Sequence, residues 1–249
     1  MTKRLLPFTG TLALLLAWQL AAARQASGLF PTPAAVARGL LELLARGLLV
    51  KHVVASLFRV TWGYTAAVVT AVPLGLLLGW HRRGEMAIGP LLQVFRPISP
   101  LAWIPISILW FGIGDGAAIF LIFLASFLPL TVASMNAVRN LPPTLLRAGR
   151  NFGLDGRRLL VDVILPAALP QLIVALRITL GIAWLVVVAA EMIAVSSGLG
   201  FLIIDARNAG NRYDLVVAGM VMIGLIGLLL DTGMRRLERI RSLQWGYGA

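Results

Sequence analysis

The stretch Arg147 to Pro166, RAGRNFGLDGRRLLVDVILP, is polar and rich in arginine, yet it lies between two long apolar runs. Leu145, Ala148, Gly149 and Phe152 fall at i, i+3, i+4 and i+7, which makes one apolar helical face, while Arg147, Arg150 and Asn151 occupy the other. Gly153 offers a stop, Asp155 an N-cap for a second short helix carrying Arg157 and Arg158, and Pro166 a start for the next apolar run. The pattern predicts two short helices joined at a glycine, an exposed knob on one side of a bilayer. The plainer reading is an ordinary positive loop.

Working outward, the chain is 59% hydrophobic and only 13% charged, too little polar surface to clothe a soluble globule of 249 residues. Six apolar runs can be drawn: Leu5 to Ala23, Val53 to Trp80, Ile98 to Gly112, Ala117 to Val138, Ala167 to Val195 and Leu215 to Met234. A span takes roughly 20 apolar residues, so the third run must recruit residues upstream of Pro97, while the second and fifth tilt or extend past the hydrocarbon. Lys3 and Arg4 precede the first run, whose apolar core exceeds that of a signal peptide, so it reads as a retained anchor. Phe30-Pro-Thr-Pro33 breaks it, and Ala34 to Leu49 reads as an amphipathic helix on the outer surface.

With the N-terminus inside, the inner segments hold Lys3, Arg4, Arg82, Arg83, Arg96, Arg139, Arg147, Arg150, Arg157, Arg158, Arg235, Arg236, Arg239 and Arg241, 14 of the 22 basic residues. The outer segments hold Arg24, Arg38, Arg46, Lys51, Arg207 and Arg212. The positive-inside bias therefore places both termini and the knob in the cytoplasm, and topology accounts for most of the +12 net charge. A nucleic-acid partner is not implied, because no soluble, aromatic-studded basic face exists.

The knob also resembles a known element. Ala148, Gly149, Gly153, Val163, Leu165 and Pro166 are similar to the "EAA" loop of ABC importer permeases, with Arg147 in place of its Glu, Gly149 in place of its second Ala and Val163 in place of its Ile. FRPISPLAWIPISILWFGIGD (95–115), GIAWLVVVAAEM (181–192) and SSGLGFLIIDARN (196–208) resemble the nitrate, taurine and aliphatic-sulfonate branch of that family, and the likeness runs from about Phe30 to Arg236. The resemblance implies an all-α polytopic membrane protein of the MetI-like type I importer permease fold, with about six transmembrane helices. It implies one permease domain over residues 1–249: an N-terminal span (1–27), an outer amphipathic segment (28–52), a core (53–234) with the coupling loop at 142–166, and a cytoplasmic tail (235–249).

It further implies a multi-pass subunit of the bacterial inner membrane that pairs with a second copy as a homodimer and sits among membrane lipid. A periplasmic or lipid-anchored substrate-binding protein would deliver a small solute such as nitrate, taurine or another sulfonate. A cytoplasmic ABC ATPase dimer, carrying ATP and Mg, would engage Leu145, Ala148, Gly149, Phe152, Gly153, Leu165 and Pro166. Bicarbonate and heterocyclic vitamin precursors are carried by related permeases.

No catalytic function is expected of the chain. Its only lysines, Lys3 and Lys51, do not follow glycine, so no G-x-x-x-x-G-K-[ST] phosphate loop exists, and hydrolysis of ATP would fall to another polypeptide. His52 and His81 are far apart, there is no cysteine, and no zinc cluster or triad can be drawn from local spacing. No cofactor is expected.

Charges inside spans are functional candidates, since an unpaired one costs at least ~3 kcal/mol. Arg177, Trp184 and Glu191 are spaced seven and seven, a series that drifts by only about 40° around a helix. They make one stripe facing the protein interior, with two readings: a substrate path ending at Ser196 and Ser197, or snorkelling by Arg177 and a helix-fixing bond from Glu191. Arg59 reads as snorkelling to the outer surface, Asp231 as an i,i+4 partner of Arg235, and Gly75/Gly79 as a site of close helix packing within one subunit. The competing function class, a stand-alone transporter or channel driven by an ion gradient, calls for inverted repeats and midplane carboxylates. Only Glu191 qualifies, and that class gives the knob no role.

Overall fold

A computed structural model describes residues 2–24, 30–208 and 210–238. Among them there is no strand, and the helices run in the order α1 (Thr2–Arg24), α2 (Pro33–Ala45), α3 (Leu48–Trp80), α4 (Arg82–Phe95), α5 (Ile104–Phe111), α6 (Asp115–Arg139), α7 (Pro143–Asn151), α8 (Gly156–Leu159), α9 (Leu165–Ala194), α10 (Leu199–Asn208) and α11 (Tyr213–Glu238). The tail beyond residue 238, with Arg239 and Arg241, lies outside the described residues.

Four described stretches are long and apolar enough to cross a membrane: Leu48–Trp80, Asp115–Arg139, Gly156–Ala194 and Tyr213–Arg236. The third expected run does not form one straight span. Helix α4 and the segment Pro100–Phe111 meet at 86°, and together they make at most one further, broken crossing. Pro97 and Pro100 cause the break, because each lacks an amide and its ring disfavours helix in the residue before it. The first run is helical as α1, whose described side chains from Thr9 onward include exposed Leu12, Leu14, Leu16 and Leu20. Trp18 fastens it by donating from Nε1 to the Pro31 carbonyl at 3.0 Å.

The second span starts earlier than its expected Val53. Gly47, at φ +68°, ends the amphipathic α2, and α3 runs from Leu48 for 33 residues, about 50 Å at 1.5 Å per residue. That exceeds a hydrocarbon core of about 30 Å, so α3 projects past it. Its interior stripe of Gly63, Ala67, Ala71, Gly75 and Gly79 repeats every four residues and lies on α6. A Cβ on Gly79 would sit 2.7 Å from the Met135 carbonyl oxygen, and one on Gly63 2.8 Å from that of Ile119. The glycine pair thus packs within one subunit, as its spacing suggests, with backbones close enough for dispersion to hold the helices in a lipid setting. Helix α9 lies against α6, α3 and α11, so α3, α6 and α9 carry the bundle and α11 closes one side.

Candidate functional site

At one end of the bundle, α7 and α8 form the knob. Helix α7 ends in a glycine-dependent cap: Gly153, at φ +75°, donates to the Arg150 carbonyl at 2.9 Å, and Leu154 donates to Gly149 at 3.1 Å. Leu146 and Gly149 face inward, where a Cβ on Gly149 would meet Leu159 Cδ1 at 2.6 Å. The four-residue apolar face therefore divides. Gly149 is buried against α8, while Leu145, Ala148 and Phe152 face away from the protein, Phe152 being 86% exposed. Arg147, Arg150 and Asn151 are also exposed. Asp155 precedes α8, but its side chain makes no cap bond; its backbone carbonyl accepts from Arg158 at 3.1 Å.

Pro166 does not begin a separate helix as the sequence suggested. Helix α8 passes through a π turn, Leu160–Ile164, directly into α9, giving one 39-residue helix. The Leu165 amide reaches back five residues to Leu160, and this wider turn accommodates a proline that has no amide to give. The knob is thereby joined rigidly to the longest spanning helix, with Leu165 half-buried and Pro166 exposed at the junction.

The opposite end carries a buried ionic cluster. Arg59 does not snorkel: its side chain is 2% exposed and every guanidinium nitrogen has an acceptor. Nε donates to Asp115 Oδ1 at 2.8 Å; Nη1 donates to Glu191 Oε1 and the Ser197 carbonyl, each at 2.7 Å; Nη2 reaches Asp115 Oδ1 at 2.7 Å and Ser197 Oγ at 2.5 Å. Snorkelling loses because three acceptors from α6, α9 and the turn before α10 converge on this point, and a paired buried charge is far cheaper than an unpaired one. Glu191 is fully buried, and its Oε2 accepts from Ser56 Oγ at 2.9 Å and from the Gly200 amide at 3.0 Å. Ser56 in turn accepts from the Leu199 amide at 2.9 Å. A carboxylate and a hydroxyl thus cap the first turn of α10, whose free amides and dipole favour negative charge.

The turn cannot carry a side chain at its centre. Gly198 has φ +106°, and a Cβ there would run into the Glu191 carboxyl group. Ser196 is exposed. Midway along α9, Trp184 is buried and donates from Nε1 to the Ile223 carbonyl of α11 at 3.0 Å. Arg177 bonds through Nε to Asp231 Oδ1 at 2.6 Å, and Asp231 also accepts from Arg235 at 2.9 Å, the expected i,i+4 pair. The sequence reading missed the Arg177–Asp231, Arg59–Asp115 and Glu85–Arg139 pairs. Opposite charges within or at the ends of different apolar runs were the available signal, but nothing local says which two runs touch.

Near the ionic cluster, Arg212 joins Glu42 of α2 at 2.7 Å and Asp214 at 2.8 Å. The guanidinium holds the Glu42 carboxyl below its ordinary range, and the two carboxylates raise the Arg212 value in turn.

The family described as binding-protein-dependent transport system inner membrane component matches residues 71–241. The taurine transport system permease protein of Escherichia coli is 37% identical over 246 residues, covering 95% of this chain and 88% of the relative. A bicarbonate transport system permease protein of Synechococcus elongatus is 36% identical over 247 residues, covering 94% and 88%. A putative aliphatic sulfonates transport permease protein of Bacillus subtilis is 35% identical over 215 residues, covering 86% and 77%. In structure, a chain of the MetNI methionine ABC transporter superposes with a TM-score of 0.69 at 23% identity, covering 77% of this chain and 95% of that one, so the MetI-like fold is shared. Several crossing helices and a family match over most of the bundle lead to one conclusion: this chain belongs to the binding-protein-dependent transport system inner membrane components, the multi-pass permeases of ABC importers.

Proposed function

We propose that two copies of this chain form a solute path, that a separate ATPase dimer carrying ATP and Mg docks on the two α7–α8 knobs in the cytoplasm, and that a binding protein delivers solute to the opposite end. Both termini then lie in the cytoplasm, in keeping with the arginine distribution. The observation that carries the reading is the outward-facing set Leu145, Ala148 and Phe152 on a helix whose other side is locked to α8 through Gly149. A rigid apolar patch ringed by arginines suits insertion into a groove of a soluble partner. Continuity of α8 with α9 would carry partner motion along a whole spanning helix, as a two-state rigid-body change.

Gly153, Leu165 and Pro166 set the angle of the knob rather than touching the partner. Within the proposed path, Ser196 and Arg177 have surface to offer solute, while Trp184 supports it from behind through α11, and Glu191 and Ser197 through α3. The solute we propose is a small anion or sulfonate, since relatives are named for taurine, aliphatic sulfonates and bicarbonate, all bearing an anionic oxygen group.

The chain has no cysteine, so a single Phe152→Cys substitution gives a clean cross-linking probe. Cross-linking of this variant to the ATPase in native membranes is expected. A product from exposed Leu109→Cys but none from Phe152→Cys, in complexes shown intact by native mass, would remove the docking assignment.

A further inference from the structure

His52 lies in the first turns of α3, buried, with ring Nδ1 accepting a hydrogen bond from the Gly198 backbone amide at 3.0 Å. A backbone amide can only donate. The imidazole is therefore neutral and carries its proton on Nε2. Phe201 of α10 stacks on the ring at 6.1 Å and 29° between planes. This bond joins α3 to the turn that opens α10, beside the Glu191, Ser56 and Arg59 contacts that hold the same turn.

We propose that the His52–Gly198 hydrogen bond is a proton-operated catch: a proton taken from water onto Nδ1 turns an acceptor into a donor facing a donor, and releases the Gly198 amide from α3, loosening a turn that Ser56 and Arg59 still hold. The charged groups facing the ring are Lys51 and Arg59 on its own helix, Asp205 on α10, and Glu191 of α9 across Gly198. Lys51 and Arg59 would be like charges, and Asp205 an opposite one, to a protonated ring. Glu191 is already engaged by Arg59, Ser56 and Gly200 and does not accept from the ring. His52 is the histidine at this end of the bundle, His81 lying at the other. Acidity in the compartment that this end faces thus acts on the turn through one side chain.

The test is amide hydrogen exchange of the full chain in lipid nanodiscs, read on peptides covering residues 195–202 at about pH 5 and about pH 8, either side of the ordinary imidazole value. After correction for intrinsic rates, wild-type protection is expected to fall about tenfold in acid, the worth of one lost hydrogen bond. His52→Asn, whose Oδ1 can accept from Gly198 but takes no proton, is expected to protect equally at both values. Equal wild-type protection at the two values, or an equal loss in His52→Asn, would overturn the catch. Deuterium exchange at the imidazole Cε1 of the wild type, with His81 as internal reference, requires no variant, and a His52 still neutral in acid would overturn it as well. No transport assay enters, so this result stands apart from any test of the importer assembly.

Discussion

The guanidinium of Arg59 and the carboxylate of Glu191, 132 residues apart, meet at 2.7 Å in a place where both side chains are shut away from solvent. Removing one partner strands the other. Arg59→Met is expected to cost about 3–5 kcal/mol, because Glu191 is left buried and uncompensated. Arg59→Met/Glu191→Met should recover part of that loss, since the stranded charge goes with it. Thermal unfolding of the detergent-solubilised chain reads both. Glu191→Gln keeps the volume and is expected to lower solute uptake more than the amount of assembled complex; wild-type uptake at equal expression would count against a role at this end.

Gly153 has open space where a Cβ would go, but its φ of +75° is strained for any other residue except asparagine. Gly153→Val is expected to leave membrane insertion intact, at a local cost of about 1–3 kcal/mol, and to tilt the knob so that substrate-stimulated ATP hydrolysis is lost. Normal stimulation in that variant would show that the knob's angle is unimportant.

Gly75 lies against Ser134, whose Cβ would be 2.5 Å from a new methyl group, and against the Thr131 carbonyl. Because backbone cannot yield as a side chain does, Gly75→Ala should push α3 from α6 and lower the unfolding temperature. Gly224→Ala, with nothing near its Cβ, should not. Equal shifts in both variants would argue against the close packing.

Glu42 ties α2 to Arg212, and its carboxyl is held below the usual 4.5. A lowered folded-state value means that the stabilisation is full above the unfolded value and is lost as pH falls through the lowered one. Hydrogen exchange of α2 is therefore expected to speed up, after intrinsic correction, on acidification below 4.5, and to lose that dependence in Glu42→Gln. An unchanged profile in the variant would show that Arg212 does not fasten α2.

Local signals in the chain determined its helices, its membrane setting and its knob. Apolar runs, prolines and glycines act over a few residues, which is why Gly153 and the Asp231–Arg235 pair were legible from spacing alone. The break at Pro97 and the unbroken passage through Pro166 were less legible, since proline either bends a helix or is absorbed by a π turn according to its neighbours. Tertiary structure alone decided which charges meet. Arg59 has no local partner and reads as a snorkelling residue until α6, α9 and the turn before α10 are packed around it. The same holds for Arg177 with Asp231, and for His52 with the Gly198 amide. Periodicity fixes which face a residue takes, but desolvated charges choose partners by distance in space, and that distance exists only once the helices have packed.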